Sequence, residues 1–211
     1  MGGFTAIVDY GVGNLFSLAS SLAYLGVPAK ITAEAAELRA AERIILPGVG
    51  AFGDAVARLR ATGLVPVLEA EVASGKPILG ICLGMQLLFE ESQEYGRHAG
   101  LGWIPGGVYP MEPDLRAMGL DYKVPQMGWN SLDVRQQGNP LMKYTKQGDF
   151  VYYVHSYYAK TDARYIVASS DYGVTVPGAV ARDNVYGCQF HPEKSGGVGL
   201  NILRAFCEVP V

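Results

Sequence analysis

A cysteine set between two glycines is the strongest chemical signal in this sequence of 211 residues. The segment GICLG, residues 80–84, follows an apolar run and opens a helical pattern, which makes it the cysteine form of the G-x-S-x-G nucleophile elbow. In such a turn the glycines remove side chains that would clash. Cys82 then projects at a helix N-terminus, whose partial positive charge favours a thiolate. The alternative is a small buried cysteine, the usual environment of a free thiol, but spacing and context favour a nucleophile.

A cysteine nucleophile requires a base, and three histidines are available. His98 lies in a polar stretch and is predicted to be a solvated loop residue, whereas His155 and His191 each follow a strand-like run. The proline after His191 disfavours helical geometry there, and in an extended chain residues i and i+2 point the same way. Glu193 is therefore predicted to orient the His191 imidazole, which gives a triad in the order Cys, His, Glu. The alternative is a solvated His–Glu pair at a strand end.

A second glycine cluster, GVGAFG at residues 48–53, follows the strand-like run RIIL and precedes a helix. It matches the G-x-G-x-x-G pattern of dinucleotide sites. Against that interpretation, it follows the third predicted strand, and Glu69 and Glu71, near the offset for a ribose carboxylate, sit inside a helical pattern. We favour a loop that offers backbone N–H groups to an oxyanion, beside the N–H of Leu83.

The composition excludes several classes of protein. The formal net charge is −3, from 17 Lys and Arg against 20 Asp and Glu, and 49% of the residues are hydrophobic. This balance argues against nucleic acid or anionic membrane as the main partner, and against intrinsic disorder. No His/Cys spacing fits zinc and no Asp/Asn loop fits calcium, so neither a metal nor another cofactor is predicted. Cys188 and Cys207 are predicted to be apolar packing residues.

The sequence also predicts a soluble protein of the cytoplasm. Its three cysteines form no CxxC pair, which suits a reducing compartment. The start MGGFTAIVDY has no basic region typical of a signal peptide. The uncharged stretch 10–29 holds glycines, serines, an asparagine and a proline, whereas a spanning helix needs about 20 predominantly apolar residues.

Strand and helix signals alternate through the first half of the chain, which predicts an α/β fold with a mostly parallel central sheet and helices on both faces. A helix capped by Asn14 has an apolar face from Leu15 to Leu25. The other predicted helices lie at 34–41, 52–61, 64–73, 82–91 and near 199–207. Strands are predicted at 4–10, 27–31, 44–46 and 77–81. Further strands at 149–156, 165–170, 174–182 and 185–190 predict a C-terminal antiparallel extension. Without a repeat or linker, residues 1–211 are predicted to form a single domain.

Four segments, in this order, are together similar to the class I, triad-type glutamine amidotransferases. They are PGVGAF at 47–52, GICLGMQLLF at 80–89, YYVHSYY at 152–158 and QFHPEKSG at 189–196. The resemblance implies the α/β fold and a glutaminase. In that family's chemistry Cys82 would attack the side-chain carboxamide of glutamine. His191, supported by Glu193, would move the proton that lets ammonia leave, and a glutamyl thioester on Cys82 would be hydrolysed to glutamate.

The same resemblance implies a set of residues that hold the oxyanion and the substrate: Gly48, Val49, Gly50, Leu83, Gln86, His155, Ser156 and Tyr157. Backbone groups at Gly48–Gly50 and Leu83 would bind the oxyanion. Gln86, one helical turn beyond Cys82, matches the family's substrate-holding glutamine. The backbone of Ser156 and Tyr157 matches positions that receive the α-groups of glutamine.

Within the family, the segments DYGVGNLFS at 9–17, PQMGWN at 125–130 and EKSG at 193–196 resemble glutaminase subunits that form a heterodimer with a cyclase subunit of (β/α)8-barrel fold. The resemblance implies that ammonia passes to this cyclase, and it places Asn14, Trp129 and Lys194 toward the interface. From the residues alone these three are a helix cap, a core aromatic and a solvated lysine.

Two other functions remain open at this point. One is a glutaminase of the same fold that serves another acceptor synthase. The other is a catalytically silent regulatory module, which the intact set of Cys82, His191 and Glu193 argues against.

Two positions depart from the family pattern. Gln126 stands where relatives often carry histidine, and an amide keeps hydrogen-bonding capacity but cannot titrate. Val49 stands where many amidotransferases of the class carry glycine, and a β-branched residue resists a positive φ. We hypothesise that the resting loop therefore presents a carbonyl rather than an N–H toward the oxyanion, and that partner binding flips it.

Overall fold

The computed structural model describes residues 3–210. The helices are α1 Leu15–Tyr24, α2 Ala35–Ala40, α3 Phe52–Ala61, α4 Val65–Ala73, α5 Leu83–Leu87, α6 Met111–Ala117 and α7 Gly196–Cys207. The strands are β1 Thr5–Val8, β2 Ala29–Thr32, β3 Arg43–Gly48, β4 Ile78–Cys82, β5 Phe89–Ser92, β6 His98–Ala99, β7 Ile104–Pro110, β8 Gln126–Ser131, β9 Asp133–Val134, β10 Phe150–His155, β11 Tyr157–Lys160, β12 Ile166–Asp171, β13 Thr175–Arg182 and β14 Val185–Cys188. Short 3₁₀ segments lie at Pro140–Met142, Ala163–Tyr165 and Pro192–Lys194.

The core of the fold is an eight-stranded sheet in the order β2-β1-β3-β4-β14-β13-β12-β9. Strands β2, β1, β3, β4 and β14 are parallel, whereas β13, β12 and β9 continue the sheet in antiparallel pairing. The predicted α/β fold, with its parallel sheet and C-terminal antiparallel extension, is confirmed. Because the carboxyl ends of parallel strands meet at one edge, residues that follow β3, β4 and β14 come together there.

Both faces of the parallel sheet are covered at β1, β3, β4 and β14, whereas the edge strand β2 is exposed except at Thr32. Successive strand residues point to opposite sides, so each strand contributes to two clusters. Ile7 and Ile45 belong to a cluster with residues of α1 and α7, including Leu18 and Phe206. Their strand neighbours, such as Ile44, belong to a second cluster with residues of α2, α3, α4 and α5. The continuous apolar runs in the parallel strands follow from this two-sided burial.

Two smaller sheets were not predicted. Strand β10 pairs antiparallel with β8 over six residues on each strand. A four-stranded sheet has the order β11-β7-β5-β6. Helix α6 was also missed, although its apolar residues Met111 and Leu115 have helical i, i+4 spacing and are buried.

The helix predicted at 82–91 is wrong beyond its first turn and a half. Helix α5 ends at Leu87, and Phe89–Ser92 form strand β5 instead. The carbonyls of Leu87, Leu88 and Phe89 accept backbone N–H groups from residues 101–104, so pairing with a later segment overrides the local helical pattern. The strand predicted at 44–46 is too short, because Pro47 and Gly48 were expected to end it, whereas β3 runs through Gly48, which pairs with Cys82.

Across residues 3–210, no helix is both long and apolar enough to cross a membrane. Over the same range, no cluster of three or more histidine, cysteine or acidic side chains is arranged to hold a metal ion.

Candidate active site

Cys82 occupies a strained turn between β4 and α5. Its φ of 54° and ψ of −111° lie in a region that side chains other than glycine rarely adopt and that costs of order 1–3 kcal/mol. The flanking glycines permit a very close approach of main chains. A Cβ on Gly84 would lie 1.8 Å from the Leu46 carbonyl oxygen, and one on Gly80 would lie 2.6 Å from the Gly84 carbonyl oxygen. Any side chain at either position would therefore push the cysteine out of place.

The two glycine motifs of the sequence meet at this turn. A Cβ on Gly48 would lie 2.8 Å from the Gly84 nitrogen and 3.0 Å from the Leu83 Cβ. The Tyr10 hydroxyl donates a 2.7 Å hydrogen bond to the Pro47 carbonyl, which fixes the end of β3 beside Cys82. The backbone after Gly48 therefore starts next to the nucleophile, and Gly50 takes a φ of +95° that favours glycine.

The elbow differs from the predicted one in its helix. Helix α5 has only five residues, so it sums few peptide dipoles and contributes only a small part of a helix macrodipole at Cys82.

His191 and Glu193 form a buried pair beside Cys82. The His191 Nδ1 and Glu193 Oε1 atoms are 2.8 Å apart, and their side chains are 3% and 4% exposed. The geometry differs from the extended chain of the prediction, because Pro192–Lys194 form a 3₁₀ turn. The Ser195 hydroxyl closes this turn by donating to the His191 carbonyl at 2.7 Å, while it accepts from the Tyr152 N–H at 2.9 Å.

The proton on His191 is held by its two neighbours. Burial lowers the pKa of His191, but hydrogen bonds to Cys82 and Glu193, together with the charges of those groups, outweigh it and raise this pKa to about 9. At neutral pH the imidazole is therefore protonated. An imidazolium that lies beside the Cys82 sulfur and is oriented by a carboxylate can give its proton to a leaving group.

A cavity of about 340 Å³ opens over Cys82. It brings together most of the predicted site: Val49, Gly50, Cys82, Leu83, Gln86, His155, Ser156, Tyr157, His191 and Lys194. Gly48, Glu193 and Asn14 lie behind it, in a small adjoining crevice that Val49 and His191 also line. Glu94, Pro125 and Val154 complete the cavity wall. A volume of this size suits a small-molecule substrate.

Gln189 was missed by the sequence reasoning, although it is fully buried against the nucleophile. Its Nε2 donates to the Cys82 sulfur at 3.9 Å, and its Oε1 accepts from Gln86 Nε2 at 3.0 Å. Gln86 Nε2 also donates to the Tyr157 carbonyl at 3.0 Å. The two amides therefore join Cys82 to the far wall of the cavity. The one feature of the sequence that could have identified Gln189 is its position two residues before His191.

Glu94 is the second residue that the sequence reasoning missed. Its carboxylate lines the cavity and accepts the Phe52 N–H, at the start of α3, over 2.6 Å. Burial raises the pKa of Glu94, and the hydrogen bond from Phe52 opposes that rise. An anionic group in the cavity wall suits a substrate that carries an ammonium group. No local motif marks this glutamate.

His155 is neutral and faces the cavity from the end of β10. Its Nδ1 lies 2.9 Å from the Tyr157 carbonyl, and because a carbonyl only accepts, Nδ1 carries the proton. Burial lowers the pKa of His155 to about 4; the hydrogen bond to Tyr157 opposes this, and the charge of His191 adds to it. Nε2 is therefore a hydrogen-bond acceptor.

This lowered pKa predicts a pH-dependent stability. The unfolded chain, with a histidine pKa near 6.5, takes up a proton before the folded chain does, so the contribution of His155 is present above that value and is lost as the pH falls toward 4. We expect a loss of about 3 kcal/mol in the free energy of unfolding. Urea unfolding of the wild type and of His155→Phe, followed from neutral to acidic pH, measures it. Parallel curves for the two proteins would contradict the assignment.

The prediction that His98 is a solvated loop residue is wrong. The imidazole is half-buried, and its ring centroid lies 6.5 Å from that of Phe52. A Cβ on Gly53 would lie 2.7 Å from the ring, so the last glycine of the 48–53 cluster makes room for this histidine. His98 lies outside the catalytic cavity.

Of the three residues predicted to face a partner, Lys194 and Asn14 line the cavity and its adjoining crevice, whereas Trp129 lies beside Tyr152. Lys194 is exposed and lines the cavity. Trp129 is 56% exposed and meets the Tyr152 ring edge-on, so it is not a core aromatic. Asn14 stands before α1 but makes no side-chain capping hydrogen bond, because its φ and ψ of −90° and 65° are not those of a typical cap. The predicted capping role is therefore wrong.

The remaining cysteines are packing residues, as predicted. Cys188 is fully buried in the core, where burial raises its pKa, and Cys207 is partly buried on α7.

Comparison with known proteins gives consistent results. The family model for glutamine amidotransferase class-I matches residues 6–209. Imidazole glycerol phosphate synthase subunit HisH of Lactiplantibacillus plantarum is 52% identical over 204 residues, which is 97% of this chain and 95% of that protein. The subunit of the same name from Listeria monocytogenes serotype 4a is 48% identical over 205 residues, 96% of this chain and 94% of that protein.

A solved glutamine amidotransferase shares the fold. It superposes with a TM-score of 0.74 at 19% identity and covers 98% of both chains. At 19% identity the structural similarity supports only the fold. The assignment to a family rests on the sequence matches. The chain therefore belongs to the class-I glutamine amidotransferases, and within them to the family of HisH subunits of imidazole glycerol phosphate synthase.

Proposed function

We propose that this chain is the glutaminase subunit of an imidazole glycerol phosphate synthase, hydrolysing L-glutamine to L-glutamate and ammonia through a thioester on Cys82. One observation carries the chemistry: a strained cysteine faces a substrate-sized cavity beside a buried histidine that a carboxylate orients. That arrangement meets the geometric requirement for an activated nucleophile. Family membership supports the place of the reaction in histidine biosynthesis.

The first half-reaction forms the thioester. The Cys82 thiolate bonds to the carboxamide carbon of glutamine, and the carbonyl oxygen takes up negative charge. His191 gives its proton to the nitrogen, the C–N bond breaks, and ammonia leaves. Glu193 keeps the His191 Nδ1 proton in place at 2.8 Å, so Nε2 is the nitrogen that transfers the proton.

The second half-reaction releases glutamate. His191, now neutral, takes a proton from a water molecule whose oxygen attacks the thioester carbon. The C–S bond breaks, which restores the thiolate and the imidazolium, and the new carboxyl group loses its proton to solvent. The net reaction converts glutamine and water to glutamate, ammonia and one proton.

Two groups in the cavity suit the ends of glutamine. Glu94 supplies the negative charge that an α-ammonium group needs, whereas the amides of Gln86 and Gln189 lie on the Cys82 side. We assign the α-groups to the region of Glu94, Ser156 and Tyr157. The side-chain amide of glutamine then reaches Cys82, where the backbone of Gly48–Gly50 and of Leu83 supplies the oxyanion contacts.

We further propose a heterodimer with a cyclase subunit of (β/α)8-barrel fold. The cyclase uses the ammonia to make imidazole glycerol phosphate and aminoimidazole carboxamide ribonucleotide. Val49, which lines the cavity, and Trp129 are large apolar side chains that are 41% and 56% exposed. Exposed aromatic residues are enriched in protein interfaces, which supports Trp129 as an interface residue, and we propose Asn14 and Lys194 as interface residues on the family resemblance alone.

Glutamate release from glutamine tests the proposal. The purified chain is assayed alone, with the cyclase, and with the cyclase and its nucleotide ligand. We expect little glutamate release by the chain alone and strong release in the mixture with the cyclase and its nucleotide ligand. High activity of the chain alone that the cyclase leaves unchanged would support the glutaminase activity. It would exclude the cyclase as partner and favour another acceptor synthase. No glutamate release in any of the three mixtures would indicate a catalytically silent regulatory module.

Val49→Gly is expected to raise glutamate release by the unpartnered chain about tenfold, because a left-handed conformation costs a residue other than glycine about 1–2 kcal/mol. Val49 is absent from the positive-φ residues of the described chain, whereas the next residue, Gly50, has a φ of +95°. Glycine at position 49 would let the loop turn an N–H toward the oxyanion without the partner. Steady-state assays without cyclase measure the change, and an unpartnered rate equal to that of the wild type would contradict the flipping hypothesis.

A further inference from the structure

The 49–51 loop, which consists of residues 49–51 between β3 and α3, is held at both ends by side chains from distant parts of the chain. Before the loop, the Tyr10 hydroxyl donates to the carbonyl of Pro47, the second-last residue of β3, at 2.7 Å. After the loop, the N–H of Phe52, the first residue of α3, donates to Glu94 Oε2 at 2.6 Å. Any rearrangement that presents an N–H of the loop to the oxyanion therefore lies between these two hydrogen bonds.

Glu94 replaces a helix cap that the local sequence lacks. The residue before α3 is Ala51, whose backbone is extended and whose side chain cannot accept a hydrogen bond. The first N–H groups of a helix have no partner within it, and the helix dipole favours negative charge at this end. The Glu94 carboxylate, 42 residues away in sequence, therefore satisfies the Phe52 N–H and stabilises the start of a ten-residue helix.

The same carboxylate belongs to the catalytic cavity. Glu94 lies in the turn between β5 and β6, where its own N–H donates to Oγ of the buried Ser92 at 3.1 Å. Its side chain lines the cavity together with Cys82 and Tyr157. A carboxylate has two oxygens, and the Phe52 N–H is bound to Oε2, so Oε1 can accept from a ligand. One side chain therefore contacts both the cavity and the residue at which the loop ends.

We propose that Glu94 is a positioning residue that couples binding of the α-ammonium group of glutamine to the 49–51 loop through the Phe52 N–H. The inference rests on the proposed glutaminase function, in which the α-groups of glutamine lie in the region of Glu94. The substrate ammonium binds one oxygen of the carboxylate, while the other oxygen holds the start of α3. Occupation of the cavity by glutamine therefore fixes the end of the loop more firmly.

The reason is electrostatic. Burial raises the pKa of Glu94; the hydrogen bond from Phe52 and the charge of His98 oppose this rise, and the charge of Asp54 adds to it. An ammonium group beside the carboxylate favours the charged form, and an ionised acceptor makes shorter and stronger hydrogen bonds than a neutral one. The Phe52 N–H is therefore held more tightly once the substrate ammonium has bound.

The α-ammonium group should consequently act on the rate of the reaction as well as on binding. Glutaramate, which is glutamine without its α-amino group, can present its amide to Cys82 but leaves Glu94 without a cation. In the complex with the cyclase, we expect kcat for glutaramate to be about tenfold lower than kcat for glutamine, the effect of one charge-assisted hydrogen bond. A contact that only binds the ammonium group would change KM alone.

Steady-state rates of the complex with both substrates test the coupling. In Glu94→Gln the amide keeps an oxygen for the Phe52 N–H but carries no charge. We expect kcat for glutamine to fall about tenfold, so that the ratio of kcat for glutamine to kcat for glutaramate falls to about one. A wild-type ratio near one, or a ratio that Glu94→Gln leaves unchanged, would overturn the proposal.

Asp54→Asn is the matched control. Asp54 is an exposed acid in the same first turn of α3, but the Phe52 N–H is given to Glu94. This variant should keep the wild-type ratio of the two kcat values. An equal fall of the ratio in Asp54→Asn would assign the effect to the general charge at the helix start, and it would also overturn the proposal.

A spectroscopic measurement needs no turnover. The Cys82→Ala chain is labelled with ¹⁵N-phenylalanine, which gives seven backbone signals, and Phe52→Leu assigns the signal of Phe52. We expect saturating L-glutamine to move this signal downfield and to slow exchange of its amide with solvent about tenfold, whereas saturating glutaramate should do neither. The Phe206 amide on α7 is the internal control and should respond to neither ligand.

Calorimetry of the same samples shows whether each ligand binds, and this separates the coupling from the proposed function. If both ligands bind and the Phe52 amide responds equally to both or to neither, the coupling is overturned while glutamine stays the substrate. If L-glutamine does not bind, the proposed function fails, and the coupling fails with it.

Discussion

Cys82→Ala is expected to lower glutamate release by at least about 10⁴-fold, as loss of the nucleophile does in other triad hydrolases. Alanine removes the sulfur that forms the thioester, and no other described side chain is placed to replace it: Cys188 is buried in the core and Cys207 lies on α7. The measurement is glutamate formation by the complex with the cyclase at saturating glutamine.

Two controls accompany this variant. The cyclase should still make product from added ammonium salt, which shows that the loss lies in glutamine hydrolysis and not in the cyclase. Glutamine should still bind, because the cavity wall that contains Glu94, Ser156 and Tyr157 is unchanged. A Cys82→Ala chain that still forms glutamate within tenfold of the wild-type rate would exclude the thioester mechanism.

Glu193→Gln is expected to lower glutamate release about a hundredfold. Exchanging the triad carboxylate of a serine protease for its amide costs about 10⁴, and a thiol, which is intrinsically more nucleophilic than a hydroxyl, depends less on its base. The amide keeps the size of the side chain and an oxygen for the His191 Nδ1–H, but it removes the charge that stabilises the imidazolium. Glu193 Oε2, which is buried and has no hydrogen-bond partner among the described residues, would become an equally buried amide group.

The pH profile separates this effect from simple misfolding. The hydrogen bond and charge of Glu193 help to raise the pKa of His191 to about 9, so the protonated imidazole is present below that pH and is lost above it. Without the carboxylate this pKa falls, and the alkaline limb of the rate profile moves to lower pH. A profile of unchanged shape, at whatever rate, would show that Glu193 does not hold the proton on His191.

Local patterns predicted the parts of the site that local physics determines. The helix at 52–61 is confirmed at both ends, because its apolar residues have strict helical spacing. The elbow at Cys82 was predicted because two glycines and a strand-to-helix change sit within five residues of one another. His191 and Glu193 were paired correctly from a two-residue spacing, although the chain between them forms a 3₁₀ turn rather than a strand.

Contacts between distant segments determined the rest. Residues 89–92 have the sequence of a helix end, but they form a strand because β7 and β6 pair with them. Gln189 reaches Cys82 and Gln86 across more than 100 residues of sequence, and Glu94 reaches the Phe52 N–H across 42. His98 is half-buried only because Gly53 has no side chain. None of these partners is visible within a window of neighbouring residues.

The position of Cys82 in the sheet has a consequence for how the site opens. Strand β4 is hydrogen-bonded on both sides, to β3 and to β14, so the strained φ of 54° at its end relaxes only when the centre of the sheet separates. Amides there exchange with solvent through global rather than local opening. Residues 49–51 form the loop between β3 and α3, in which Val49 is exposed. In contrast to Cys82, this loop can rearrange without separation of the central strands. The rate of heat inactivation should therefore equal the rate at which the whole domain unfolds. The rate of turnover should depend instead on how fast the loop rearranges.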